Sequence, residues 1–359
     1  MSFGGNAARY RFRIGSRSMA RTTTSIDLAL QGGASHGAFT WGVLDALLED
    51  GSLGFAGISG TSAGALNGAV LVTGLARAGR DGAREALHDF WRDVSRANTC
   101  FDPFSQPQGG GPLWDAWTAP MAQAWAQWTR AFSPYQLNPF GLNPLKDVLE
   151  RHVDVEALQS AKGPRLFVVA TAVHNGRPRV FSGEALSLDA LLASACLPYL
   201  FQAVEIDGQP YWDGGYSGNP AVWPLIYETA EADVLLVKIQ PLERPATPRT
   251  AFDIAERAAE ISFNTALIGE MRAIAFVKRL LMEERIERGR YKDLRLHMIA
   301  DEEELAKLPA KSKLDTGWDF LQQLRGLGRA AAQAWLKRHR RDVGVRSSID
   351  VGREFLGLD

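Results

Sequence analysis

The sequence predicts an α/β protein: a mainly parallel central sheet with helices on both faces, in three layers. Three observations predict it. Apolar runs of strand length alternate with amphipathic runs of helix length along most of residues 25–300. The first connections are short, as right-handed strand–helix–strand crossovers require. The run Arg165–Ala172 is apolar at nearly every position, the pattern of a strand buried on both faces.

The elements follow in order. Ser25–Leu30 reads as the first strand and runs directly into Gln31-Gly32-Gly33-Ala34-Ser35-His36-Gly37. Ala38 to Asp50 places Phe39, Val43, Leu44, Leu47 and Leu48 at helical spacing. Phe55–Ser59 is a second short strand, and Ala63–Val72 a helix of small residues suited to close packing on a sheet. Ala83–Ala97 is amphipathic, with Leu87, Phe90, Trp91 and Val94 on one side. Residues 98–143 change character: six prolines, a Gly109-Gly110-Gly111 run and Trp114, Trp117, Trp125 and Trp128 predict an irregular insertion that caps an apolar pocket. A helical satellite that simply buries its tryptophans fits the same pattern.

Regular alternation resumes with a helix at Leu145–Val153, the buried strand, an Asn175-Gly176 turn and a partner strand at Val180–Ser182. A helix at Leu186–Ala195, strands at Val234–Ile239 and Leu294–Ile299, and a long helix over 251–288 complete the domain. Residues 301–359 are expected to form a C-terminal helical extension. Its main helix is read from a Thr316-x-x-Asp319 capping box, with Trp318, Leu321, Leu324, Ala331 and Trp335 on one face. It ends in Lys337-Arg338-His339-Arg340-Arg341, cations that complement a helix C-terminus; contact with a membrane surface is the alternative reading.

Composition narrows the function classes. The 359 residues carry a formal net charge of −1, so no global field favours nucleic acid. Cys100 and Cys196 are the only cysteines, too few for a disulfide framework or a zinc motif. A reducing, cytoplasmic setting is therefore expected, with peripheral membrane contact left open. No apolar run reaches the length of a bilayer span. The first 24 residues hold Arg9, Arg11, Arg13, Arg17 and Arg21 with no acid, and a disordered basic tail is expected there. A start at Met19, or an arm that touches a membrane, is the alternative.

Chemistry concentrates in three places. Gly60-Thr61-Ser62-Ala63-Gly64 fits G-x-S-x-G, a strand-to-helix elbow that lifts a serine hydroxyl clear of a sheet. Gly32-Gly33-Ala34 leaves a strand and opens a helix, so its free N–H groups converge where an oxyanion would sit. The third place supplies a base. None of the histidines beyond Ser62, at positions 88, 152, 174, 297 and 339, has a convincing loop signature, and His297 reads as an ordinary strand residue. Asp213-Gly214-Gly215 ends a short strand, where a carboxylate can take and return a serine proton. Taken alone, the same three residues also read as a hairpin turn.

The ordered set of these motifs, with Ala193-Ser194-Ala195, Pro198 and Phe201 ahead of the aspartate, resembles the patatin-like phospholipase family over about residues 25–300. The resemblance implies a patatin-like fold and a catalytic dyad of Ser62 and Asp213. It also implies Gly32, Gly33 and Ala34 as the oxyanion loop, with His36, Gly37, Gly60, Gly64, Gly214 and Gly215 in support. It implies hydrolysis of lipid or other acyl esters through an acyl-enzyme, with no metal or other cofactor. Two positions depart from the family's G-G-G-x-[RK]-G loop: Ala34 replaces a glycine and His36 replaces the basic residue. Ala34 resists positive φ. His36 either brings charge near the site or caps the helix, and a supporting role is expected rather than general base.

Two other classes compete. A nucleotide-binding protein would need the lysine or full glycine pattern that Gly32–Gly37 lacks. A catalytically silent lipid-binding protein of the same fold is opposed by the intact Ser62 and Asp213. Oligomeric state is not legible in the sequence.

Overall fold

The computed structural model describes residues 23–97, 132–160, 162–244, 246–287 and 290–358. Residues 1–22 of the predicted basic tail, the four tryptophans of the insertion and Cys100 lie outside the described residues, and Thr24 already belongs to the first strand. Among those described, eight strands form one sheet: β1 (Thr24–Leu30), β2 (Leu53–Thr61), β3 (Arg165–Ala172), β4 (Pro178–Ser182), β5 (Val204–Ile206), β6 (Gln209–Asp213), β7 (Asp233–Val237) and β8 (Arg295–Ile299). The order is β5-β6-β3-β2-β1-β7-β8, with β4 also on β3. β3, β2, β1, β7 and β8 are parallel to one another, and the antiparallel pairs involve β4, β5 and β6.

The two faces of the sheet bury separate cores, as the period-two pleat demands. Ile26, Leu28 and Leu30 face a core shared with helices α1 (Gly37–Asp50) and α2 (Ala63–Ala97). Ala29, Phe167 and Leu236 face the other core with Leu267 and Met271 of a long helix, Ala251–Met282. α1 stops because Gly51 adopts φ +73° and returns its N–H to the Leu47 carbonyl. α2 is broken at Ala78 and Gly79, which have non-helical dihedrals, so the two helices read at 63–72 and 83–97 meet nearly end to end.

The C-terminal helix Trp318–His339 lies on α1 and contributes Leu321, Leu324 and Trp335 to the first core. The two helices touch through glycine notches: a Cβ on Gly42 would stand 2.0 Å from the Arg325 carbonyl oxygen, and one on Gly328 would stand 2.0 Å from that of Phe39. The predicted capping box does not form. Gly317 occupies the N-cap position without a side-chain bond, and its N–H donates to Asp315 at 2.8 Å. Trp318 and Ala331 are half-buried against the first core, and Ala332 beside them is fully buried. Among the described residues no helix is long and apolar enough to cross a membrane.

Candidate active site

The register of β3 brings the two predicted catalytic residues together. β2 runs parallel to β3 and its ladder ends at Thr61 opposite Val169. β6 runs antiparallel and its ladder starts where β2 stops, with Asp213 opposite Ala170. β4 occupies the other edge of β3 over Phe167–Thr171. β2 and β6 therefore meet head to head along one edge, and the residues at their junction are Ser62 and Asp213. Gly214 marks how tight that junction is: a Cβ there would lie 2.1 Å from the Val169 carbonyl oxygen.

Ser62 sits at the elbow with φ +52°, a left-handed conformation that costs a non-glycine residue about 1–2 kcal/mol. The turn is held from both sides. The Ser62 N–H donates to Ser194 Oγ at 2.9 Å, and its carbonyl accepts the Leu66 N–H at 3.0 Å. Gly64 is needed because a Cβ would fall 2.1 Å from the Leu30 carbonyl oxygen, and Gly60 because it abuts the backbone of Gly64 and Ala65. Gly37 meets Ala63 in the same way, so the first turns of α1 and α2 lie side by side.

Asp213 is fully buried. Its Oδ1 accepts the Gly215 N–H at 2.7 Å, Oδ2 is buried without a close protein partner, and the Ser62 hydroxyl interacts with the carboxyl as a hydrogen-bond donor. Burial pushes the carboxyl up from its ordinary 3.8 to about 7, against the lowering effects of the Gly215 N–H and the nearby Ser62 hydroxyl. A buried carboxylate with so few partners, next to a serine hydroxyl, is poised to exchange a proton near neutrality. The Asp213 main chain is pinned as well, with its N–H on the Cys196 carbonyl and its carbonyl on Thr171 Oγ1, both at 2.8 Å.

The glycine loop lies against the serine: a Cβ on Gly32 would stand 2.8 Å from Ser62 Cβ. Gly32 is not a free donor, however. Its N–H is engaged with Asn219 Oδ1 at 2.7 Å, whereas the sequence suggests a free donor. Hydrogen bonds among the described residues account for the Gly32 N–H but not for those of Gly33 and Ala34. Ala34 takes φ +50°, so the alanine adopts the glycine-like conformation that its side chain disfavours.

His36 neither carries charge nor caps the helix, and its contacts fit the supporting role expected of it. Its side chain caps nothing. Burial, with help from Lys313 and Arg244, pushes its pKa down to about 3, so the ring is neutral. Instead its Nε2 pairs with Ser312 Oγ at 2.8 Å, tying the loop to the turn Ala310–Leu314. His297, read as an ordinary strand residue, is fully buried between Asp233 and Ser348.

A cage of buried amides holding the glycine loop escaped the sequence reading. Gln31 Oε1 accepts the N–H groups of Ile239 and Gln240, both at 2.8 Å, and Gln31 Nε2 donates to Asn264 Oδ1 at 3.2 Å. Gln240 Nε2 donates to the Gly32 carbonyl at 2.9 Å. Asn219, in a cis Asn219–Pro220 pair, clasps Gly32 from the other side. The only available signal was the Asn219-Pro220 pair that follows the aspartate in sequence.

Fold and site together define an α/β protein with a serine elbow set against a buried aspartate and a glycine-rich helix entry. The patatin-like phospholipase family profile matches residues 28–226, more than half of the 359-residue chain. The chain belongs to the patatin-like phospholipase family, a family of carboxylic ester hydrolases. Similar solved structures include VipD from Legionella pneumophila, at 14% identity and TM-score 0.33, covering 84% of this chain and 66% of that one. A chain of the ExoU–SpcU complex from the type III secretion system of Pseudomonas aeruginosa aligns at 16% identity and TM-score 0.38, covering 89% and 52%. This chain thus spans between about half and two thirds of the length of those chains. No curated protein matches the sequence.

Proposed function

We propose that the chain is a serine acyl hydrolase that cleaves fatty-acyl esters of lipids through a Ser62–Asp213 dyad. The observation that carries this reading is a fully buried Asp213, its Oδ2 without a close protein partner, at the junction with the strained Ser62 elbow. Ser62 Oγ attacks the acyl carbonyl carbon as its proton passes to Asp213. The oxyanion of the tetrahedral intermediate is held by the Gly33 and Ala34 N–H groups, and loss of one such donor costs about 3 kcal/mol of transition-state stabilisation. The intermediate collapses, the C–O bond to the alcohol breaks, and Asp213 returns the proton to the leaving oxygen. Water then attacks the acyl-enzyme and gives a proton to Asp213. The second collapse releases the fatty acid and restores the proton to Ser62.

A lipid rather than a small soluble ester is supported by apolar side chains near this end of the sheet. Tyr199 and Leu200 follow the segment that holds Asp213 and are exposed, as are Phe140 and Leu142. The two groups are joined, because Gln202 Nε2 donates to the Asn138 carbonyl at 2.6 Å. Such a cluster suits contact with a lipid surface.

The test is hydrolysis of phospholipid vesicles and of a short-chain nitrophenyl ester by wild type and Ser62→Ala. Turnover of both by wild type and of neither by the variant is expected. Turnover of the short ester alone would redirect the reading to other acyl esters, including storage polyesters. Undiminished turnover by Ser62→Ala would refute the mechanism.

A further inference from the structure

A second ligand site is indicated at the opposite end of the sheet. A partly open pocket of about 500 Å³ lies at the start of β2, a volume comparable to the roughly 300–1,000 Å³ of small-molecule sites. β2 is nine residues long, which puts this cavity ~25–30 Å from Ser62 along the strand. Its accessible apolar wall is formed by the half-buried Phe55 and Leu75 and the exposed Ala76, over a floor of fully buried Leu53 and Val72. Its charged lining residues are Arg80 and Lys162, with no acid among the described lining.

Neither cation has a carboxylate partner among the described ion pairs. Arg80 donates through Nη2 to the Leu53 carbonyl at 2.6 Å, and its Nη1 is buried with no acceptor. A buried guanidinium nitrogen left unpaired is costly, and an anionic oxygen is the acceptor that suits it best. The helix break at Ala78–Gly79 immediately precedes Arg80 and turns that residue back toward β2. The lining is therefore apolar with two cations: the complement of an amphiphile with one hydrocarbon chain and one negative head.

We propose that this pocket binds a free fatty carboxylate, with the chain against Phe55, Leu75 and Ala76 and the head at Arg80 and Lys162. The site stands independently of the reaction proposed for Ser62. Only its use as a product-sensing site rests on that reading, since a fatty carboxylate is what the reaction releases.

The experiment is isothermal titration of the full chain with decanoate below its micellar concentration, and with decanol as the uncharged control. It is run on wild type, on Arg80→Gln/Lys162→Gln and on the cavity-filling Ala76→Trp. The expected result is saturable one-to-one binding of decanoate, weakened about tenfold or more in both variants, with decanol at least about tenfold weaker than decanoate. Short-ester turnover should be unchanged in both variants, which also reports that they fold. Decanoate affinity that is unaltered in both variants, or decanol binding as tightly as decanoate, would overturn the proposal. A wild type that turns over esters but binds no decanoate would refute this site alone. A wild type that binds decanoate but turns over nothing would refute the dyad alone.

Discussion

Two buried aspartates, Asp213 and Asp45, show how differently one chain treats the same side chain. Asp45 lies on α1 where it meets α2 and the C-terminal helix. It receives Arg84 at 2.6 Å and Arg325 at 2.8 Å, with Arg329 as a third partner. Burial pushes its carboxyl up, but hydrogen bonds from the three arginines outweigh that and hold it below the ordinary range. Asp213 is more deeply buried, has a single backbone N–H on one oxygen, and is pushed up to about 7. A carboxylate that ties helices together is saturated with partners. One that must exchange a proton is left short of them.

The comparison breaks most sharply under Asp→Asn substitution. Asp213→Asn should lower kcat/KM for a short ester by about 10³-fold or more if Asp213 is the base proposed above, while thermal stability holds or rises. Asp45→Asn should do the reverse. It should cost about 2–4 kcal/mol in a denaturant titration, because Arg325 loses its carboxylate partner and Arg84 and Arg329 keep only Glu49, and leave kcat/KM nearly intact. Equal losses of stability in the two variants would end the distinction.

Acidity sharpens the contrast. The folded-state pKa of Asp213 is raised above its unfolded value near 3.8, so the folded state holds that proton more tightly. Its contribution to stability is full below 3.8 and is lost as pH rises through about 7. Activity needs the carboxylate and should rise through the same window. Stability and kcat/KM should thus run in opposite directions between about pH 4 and 7. Subtracting the profile of Asp213→Asn isolates this group from Asp27 and Glu270, which burial also raises, to about 6 and about 7. For Asp45 the sign is opposite: its lowered pKa gives stability that is present above 3.8 and lost as pH falls through the folded value.

The smallest effect concerns the glycine loop. Ala34→Gly relieves a positive φ but raises the entropy of the unfolded chain, so a net gain of up to about 1 kcal/mol is expected in a thermal melt. Esterase activity should be retained. A loss of stability would mean that the Ala34 methyl group contributes packing that outweighs its backbone strain.

What could be read from the sequence follows the same physical division. The strands and the two cores announced themselves because burial imposes periodicity on many residues at once. The elbow and the Asp213 turn were legible because backbone crowding around Gly60, Gly64 and Gly214 admits no side chain. The amide cage was not legible, because Gln31, Asn219, Gln240 and Asn264 come from separate segments and a single amide carries no pattern. The neutrality of His36 was not legible for a related reason. It depends on burial and on Lys313 and Arg244, which are far away in sequence. The capping box at Thr316 failed because a motif specifies only local options, and Asp315 took the Gly317 N–H instead.

The central claim is that Ser62 is a nucleophile activated by Asp213. Intact mass after incubation with a fluorophosphonate tests it most directly, on wild type, Ser62→Ala and Asp213→Asn. The account predicts a single adduct on wild type, none on Ser62→Ala and strongly slowed labelling of Asp213→Asn. An unlabelled but folded wild type, or an adduct that persists in Ser62→Ala, would contradict it.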